Sequence, residues 1–192
     1  LTGVNTMKRL LLSVVILVFL TEVGFSASIK FFIGKVEVKK NNTWVKAKRG
    51  MALVNSNAIR TQKSAMVIIS LERGSIIKLR ENSSIILNNI GTNQNEGITI
   101  SLLKGSIFSK IIKSKANEKY KVRAGTIVVA VRGTEFFVAQ EKLSKKTKDL
   151  WVCVNEGLID VSRITDKKSV LIPKGKGVLI KNSTTFTKAK VY

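Results

Sequence analysis

The chain has 192 residues, 44% of them hydrophobic, with one Pro and 13 Gly, which suits one domain plus a short appendage and excludes a Pro-rich disordered chain. Its 34 Lys and Arg against 12 Asp and Glu leave a net charge of +22, and there is no His. That removes Ser-His triads, Cys-His dyads and His-ligated metal sites, so the composition weighs against an enzyme and calls for no metal or cofactor.

The first predicted element is an address. Met7 begins Met-Lys8-Arg9, residues 10–20 are nearly all apolar, and Thr21-Glu22-Val23-Gly24-Phe25-Ser26-Ala27-Ser28 follows. A basic start, a short apolar core and a small-residue exit describe a helical signal peptide over residues 1–28, with the six residues before Met7 read as a misplaced start. Cleavage after Ser26 or after Ser28 satisfies the small-residue rule. A membrane anchor needs about 20 apolar residues, and Glu22 interrupts this one early. The expectation is therefore export to the periplasm or beyond, with no stable membrane span after cleavage and a domain over residues 29–192.

From Ile29 onward the pattern is alternation. Residues 34–39 alternate apolar and polar as a half-buried strand does, Asn41-Asn42-Thr43 signals a turn, and Trp44-Val45 starts the return. Arg49-Gly50 turns again, and residues 51–60 are amphipathic. Residues 64–71 form a dense apolar strand, 72–74 a turn, 75–79 a return, 81–84 a turn, and 85–87 the next strand. Residues 88–97 are the most polar stretch and read as the longest surface loop. Residues 98–103 resume, and Lys104-Gly105 reads as a turn into Ser106-Ile107-Phe108. Residues 110–121 suit a helical turn or a loop, and 142–148 a polar loop. Residues 150–154, 158–161, 170–172 and 177–180 complete the strands, whose β-branched and aromatic content favours sheet over short helix.

A weak repeat runs through this pattern. Gly followed by a small or polar residue and then apolar residues recurs at Gly74, Gly105 and Gly133, with a looser echo at Gly157, at spacings of 31, 28 and 24 residues. Such periods suggest stacked units, none of which can bury its apolar face alone. Because the period drifts, the expected fold is all-β, a two-sheet sandwich or a short solenoid-like stack of hairpins.

The sharpest local feature is Ala130-Val131-Arg132-Gly133-Thr134-Glu135-Phe136-Phe137-Val138. Two apolar extended pieces flank Arg-Gly-Thr, and a Gly inside a strand pattern marks a bulge or close backbone approach, so the segment reads as a kinked strand. Val131, Gly133, Thr134 and Phe136 read as structural. Arg132 has two readings: a guanidinium that fixes the kink by pairing with a carboxylate or carbonyls, or an anion-capturing side chain.

The whole pattern resembles the FecR domain. The resemblance runs over residues 34–180, from the Gly34-Lys35-Val36-Glu37-Val38 strand, through Trp44, Arg60-Thr61 and Leu102-Leu103-Lys104-Gly105, to Val131-Arg132-Gly133-Thr134-Glu135-Phe136 and the turns at Gly157 and Gly175. Asn55 to Asn57 stand where the family has Gly-Asp, and Ala124-Gly125 where it has Thr-Pro. The resemblance implies an all-β periplasmic module. In named members it belongs to a transmembrane regulator that relays an outer-membrane signal to a sigma-factor partner. Only two basic residues precede the apolar segment here and the resemblance ends at Ile180, so this reading carries over the module alone.

The function expected is a non-enzymatic binding, sensing or scaffolding role in the cell envelope, with an envelope protein or an anionic polymer as partner and no nucleic acid. Arg132 and Arg123 are the candidate binding residues. The charge itself fits either solvated surface and edge protection or capture of a polyanion. A contiguous apolar patch would favour a protein partner, and a basic stripe a polymer. Glu135, Glu156 and Asp160 are the carboxylates near the signature elements, with no sign that two converge as a glycosidase needs. Cys153, in an apolar run, reads as a small buried hydrophobe, and Trp44 and Trp151 as core or half-core.

Overall fold

The computed structural model describes residues 27–71, 74–90, 97–113, 120–142, 148–182, 184–187 and 190–191. Residues 1–26 of the expected signal peptide, residues 72–73 of the expected 72–74 turn, and residues 91–96, 114–119 and 143–147 of the expected loops over 88–97, 110–121 and 142–148 lie outside the described residues. Among those described, every regular element is a strand, and no helix is long and apolar enough to cross a membrane.

The strands up to the middle of the chain are β1 (Ala27–Ile33), β2 (Val36–Lys40), β3 (Thr43–Lys46), β4 (Ala52–Leu53), β5 (Ala58–Thr61), β6 (Met66–Leu71), β7 (Ile76–Leu79) and β8 (Ser84–Ile90). A long strand, β9 (Ile98–Lys110), follows. Then come β10 (Tyr120–Ala124), β11 (Ile127–Val131), β12 (Glu135–Lys142), β13 (Lys148–Glu156), β14 (Leu158–Arg163), β15 (Ser169–Pro173), β16 (Lys176–Lys181), β17 (Thr185–Phe186) and β18 (Lys190–Val191). The alternation is real: along β6, Val67, Ile69 and Leu71 are buried while Met66, Ile68 and Ser70 face partly outward. The turn chemistry is real too. Lys40 pairs with Thr43 across a two-residue turn in which Asn41 and Asn42 have φ of 46° and 64°, the left-handed backbone that Asn tolerates and a tight hairpin requires.

Hydrogen bonding orders the strands into two layers. The first runs β4-β1-β6-β7-β9-β12-β13-β16, with β17 and β18 both on the far side of β16. The second runs β3-β2-β5-β8-β9-β10-β11-β14-β15. One strand belongs to both: β9 pairs with β8 and β10 through its first half and with β7 and β12 through its second. Its pairing with β10 is parallel and the other pairings are antiparallel.

The continuity of β9 corrects the expected turn at Lys104-Gly105. Gly105 has φ +79°, which bends the strand out of one layer and into the other without ending it. A Cβ there would lie 2.6 Å from Ser83 Cα. Ser83 locks the bend, its Oγ accepting from the Ser106 N–H at 2.9 Å. The Gly-then-apolar signal thus marks a passage between layers, where the sequence suggested a reversal.

The inner faces form one core. Ile29, Val67, Ile107 and Val152 from the first layer and Val38, Ile59, Val122 and Val161 from the second are fully buried in a single cluster. The layers touch directly where Tyr120 of β10 meets Phe136 of β12 edge-on at 6.0 Å and its hydroxyl lies 3.1 Å from Ser109 Oγ of β9. Burial pushes that phenol far above its ordinary range. The fold is all-β and two-layered, as the sequence indicated.

The described fold starts at Ala27, which is buried and pairs with Leu53 and Leu71. Ala27 and Ser28 are the first residues of β1.

Candidate functional site

The signature segment is a corner between layers. β11 ends at Val131 in the second layer and β12 begins at Glu135 in the first. The chain changes layer over Arg132-Gly133-Thr134, and a register shift follows between Glu135 and Phe136. Gly133 has φ +69°, and a Cβ there would lie 2.6 Å from Lys113 Cβ. Thr134 is 2% exposed; its hydroxyl donates to Leu158 C=O at 3.3 Å, and its own C=O accepts from Ile111 N–H at 2.9 Å. Gly157, at the β13–β14 corner, packs on the same spot, where a Cβ would stand 3.1 Å from Gly133 O and Thr134 Oγ1. Two corners and the segment after β9 are thus tied together at Gly133 and Thr134, while Val131 and Phe136 on either side are buried in the core.

Arg132 takes no part in that lock. Its side chain is exposed and makes neither a hydrogen bond nor an ion pair among the described residues. The contacts that hold the kink are those of Gly133 and Thr134.

The outer face of the second layer shows where Arg132 goes. Strand register aligns Lys121, Ala130, Asp160 and Leu171 in one row across β10, β11, β14 and β15, and Arg123, Val128 and Ser162 in the next. These residues line an open groove of about 640 Å³. Arg132 and Leu158 stand at one end and Ile164 also lines it. Both candidate binding residues, Arg123 and Arg132, line this one groove. Sequence reasoning missed Lys121, Asp160, Leu158, Ile164 and Leu171. The outward alternation of β10 announces Lys121, but only the register brings the others beside it.

The groove is two-sided in character. Lys121, Arg123 and Arg132 supply positive charge. Leu158, Ile164 and Leu171 are 51%, 56% and 61% exposed, an unusual display of large aliphatics around one depression. Asp160 lies within it, with its Oδ1 shielded from solvent and without a hydrogen-bond partner.

Glu135 and Glu156 lie outside the groove. Register sets Glu135 opposite Glu156, a juxtaposition the sequence reading did not foresee. Glu135, however, pairs with Lys110 Nζ at 3.4 Å and accepts from Asn155 Nδ2, so its charge is already taken up within the sheet. Among the described residues, no three His, Cys, Asp or Glu side chains are grouped to hold a metal ion. Cys153 is buried and free, and burial pushes its thiol up to about 11, as befits an inert core sulfur. Trp44 is half-buried, with the Arg60 guanidinium 4.0 Å over its ring. Arg60 also holds Glu37 at 2.8 Å and keeps that carboxyl below its usual range.

The family profile described as FecR protein matches residues 57–160, which is more than half of the chain and includes the whole Val131–Phe136 motif. The chain belongs to the FecR protein family. The match lies inside the 34–180 span of the resemblance seen in the sequence and leaves out its opening strand and Trp44. Two crystal structures of a putative anti-sigma factor from Parabacteroides distasonis ATCC 8503, at 1.65 Å and 2.50 Å resolution, share the fold. Each is 15% identical, superposes with a TM-score of 0.59, and covers 70% of this chain. This chain in turn spans 59% of that protein's chain. No curated protein matches it.

Proposed function

We propose that this chain is an exported, non-catalytic FecR-type module of the cell envelope that acts as a binding or sensing element, with the second-layer groove as the place where its partner sits. The convergence of Arg123, Arg132 and Lys121 with exposed Leu158, Ile164 and Leu171 carries the proposal. Aliphatic side chains in that number favour a protein partner over a bare polyanion, which would ask for an uninterrupted basic stripe. The solved neighbours support a regulatory setting through their description as anti-sigma factors. The proposal includes no nucleic acid, metal or cofactor.

Export follows from the Lys8-Arg9 start and the short apolar core. Cleavage after Ser26 leaves Ala27 to begin β1, whereas cleavage after Ser28 would remove two residues of that strand. N-terminal sequencing of protein from the envelope fraction is expected to read Ala27-Ser28-Ile29. An uncleaved chain starting at Met7 in the membrane fraction overturns export.

The partner class is tested by titrating the mature protein, and a double variant Arg123→Glu with Arg132→Glu, against an anionic glycan and phosphatidylglycerol vesicles at two salt concentrations. Binding that is weak, equal for both proteins and lost near physiological salt, where charges more than about 8 Å apart are screened, supports the protein-partner reading. Binding that survives physiological salt and disappears in the double variant overturns it in favour of an envelope polymer held in the groove.

A further inference from the structure

The strand order leaves both layers with edges, and these edges are unequal. β3, β4, β17 and β18 have four residues or fewer, and β3 and β18 carry Lys. β15 is the longest edge strand, Ser169-Val170-Leu171-Ile172-Pro173, and has no charged side chain. Among the described residues it pairs only with β14. Natural sheets guard such edges with charge, Pro or brevity, because an open apolar edge is a template for another strand. Here the guards stand outside the strand, at Lys167 and Lys168 before it and at Lys174 and Lys176 after it.

The direction of the backbone groups follows from one bond. Arg163 N–H donates to Lys168 C=O at 2.9 Å. In the antiparallel alternation, Val161 with Val170 and Ile159 with Ile172 then exchange bonds across the β14–β15 pair. The peptide groups of Ser169, Leu171 and Pro173 point the other way, toward the open edge. Pro173 has no N–H to offer, so an added strand would end its ladder there. Leu171, 61% exposed, stands at the middle of the edge.

We propose that β15 is a docking edge for an extended segment of another protein, added as the next antiparallel strand, with an apolar β-branched centre and acidic residues at both ends. The centre matches Val170-Leu171-Ile172, and the acidic ends match the lysine pairs that bracket the strand. A second copy of this chain is the wrong occupant. Antiparallel β15–β15 pairing would set Lys167 and Lys168 of each copy beside Lys174 and Lys176 of the other, between molecules that each carry +21 once Lys8, Arg9 and Glu22 are removed with the signal segment. The proposal rests on the open backbone edge of the sheet and the groove reading on its face; Leu171 borders both, so the N-methylated peptide and the Arg123→Glu with Arg132→Glu variant are the comparisons that tell them apart.

The test uses residues 27–192 and a fluorescent peptide with a Val-Thr-Val-Thr-Val centre between Glu-Glu ends, about the length of an ordinary strand. Three comparisons accompany it: the same peptide with Lys-Lys ends, one N-methylated at alternate centre residues, and the protein variant Leu171→Lys. The expected result is saturable anisotropy, weakened about tenfold or more by each of the three changes, with the Leu171 amide gaining hydrogen-exchange protection. Affinity unchanged in Arg123→Glu with Arg132→Glu assigns the binding to the edge. Absence of binding, or binding indifferent to N-methylation, overturns strand addition. So does sedimentation of the free protein as a dimer with the Leu171 amide already protected, which would make the second copy the occupant.

Discussion

At residue 133 a side chain has nowhere to go. Lys113 occupies the space, the backbone sits at φ +69°, and Gly157 closes the other side of the corner. Gly133→Val is therefore expected to lower stability by about 1–3 kcal/mol, read as a lower urea midpoint of the mature domain. Arg132→Ala, at an exposed and unpartnered side chain one position earlier, is expected to leave the midpoint where it was. Equal losses for the two variants would mean that the guanidinium helps to hold the corner after all. The pair separates two roles that lie side by side in a single motif, one in the corner and one in the groove.

At the scale of elements, the β14–β15 hairpin is held at its turn by an exposed ion pair. Arg163 grips Asp166 through both carboxylate oxygens, one at 2.8 Å from Nε, and its remaining nitrogen donates to Thr184 C=O. That grip, with the Lys168 N–H at 3.3 Å, lowers the Asp166 carboxyl from 3.8 to about 2. A depressed acid stabilises the folded state above its unfolded value and loses that contribution as pH falls through the folded one. The hairpin is thus expected to loosen between about pH 4 and pH 2, with the Lys168 amide resonance titrating near 2. A midpoint near 4 would show the pair to be idle, and Arg163→Gln should move the midpoint upward. Elements of this kind were unevenly legible in the sequence. The β2–β3 hairpin could be read because Asn41-Asn42 carries its turn chemistry locally. β9 could not, since a Gly that bends a strand between layers and a Gly that reverses it look the same without knowledge of Ser83 behind it. The groove failed for a similar reason. Lys121 and Arg123 declare themselves on alternating positions, but Asp160, and Leu171 through it, join them only by way of the Ala130–Asp160 pairing across 30 residues of chain.

For the molecule as a whole, the pairings fall into two sets. β1 to β8 pair among themselves and with β9, and β10 to β18 do likewise, but among the described residues no strand of the first set pairs with one of the second. Cooperativity between the halves therefore runs through β9 and the core contacts around it. The two Trp happen to lie one in each half, Trp44 on β3 and Trp151 on β13. In single-Trp variants of the wild-type background, both probes are expected to report one coincident unfolding transition. Gly105→Val, which drives a side chain into Ser83 at the bend, is expected to pull the two transitions apart. Coincident curves in that variant would mean that packing alone couples the halves.

The shared strand also makes the halves unequal as fragments. A chain cut between β8 and β9 would leave one piece that keeps the spine, the groove and the β15 edge together, and another that has lost the strand on which both of its sheets close. The first carries its own template. The second has to borrow one, so the two pieces should reassemble in a fixed order, with residues 97–191 folding ahead of residues 27–90.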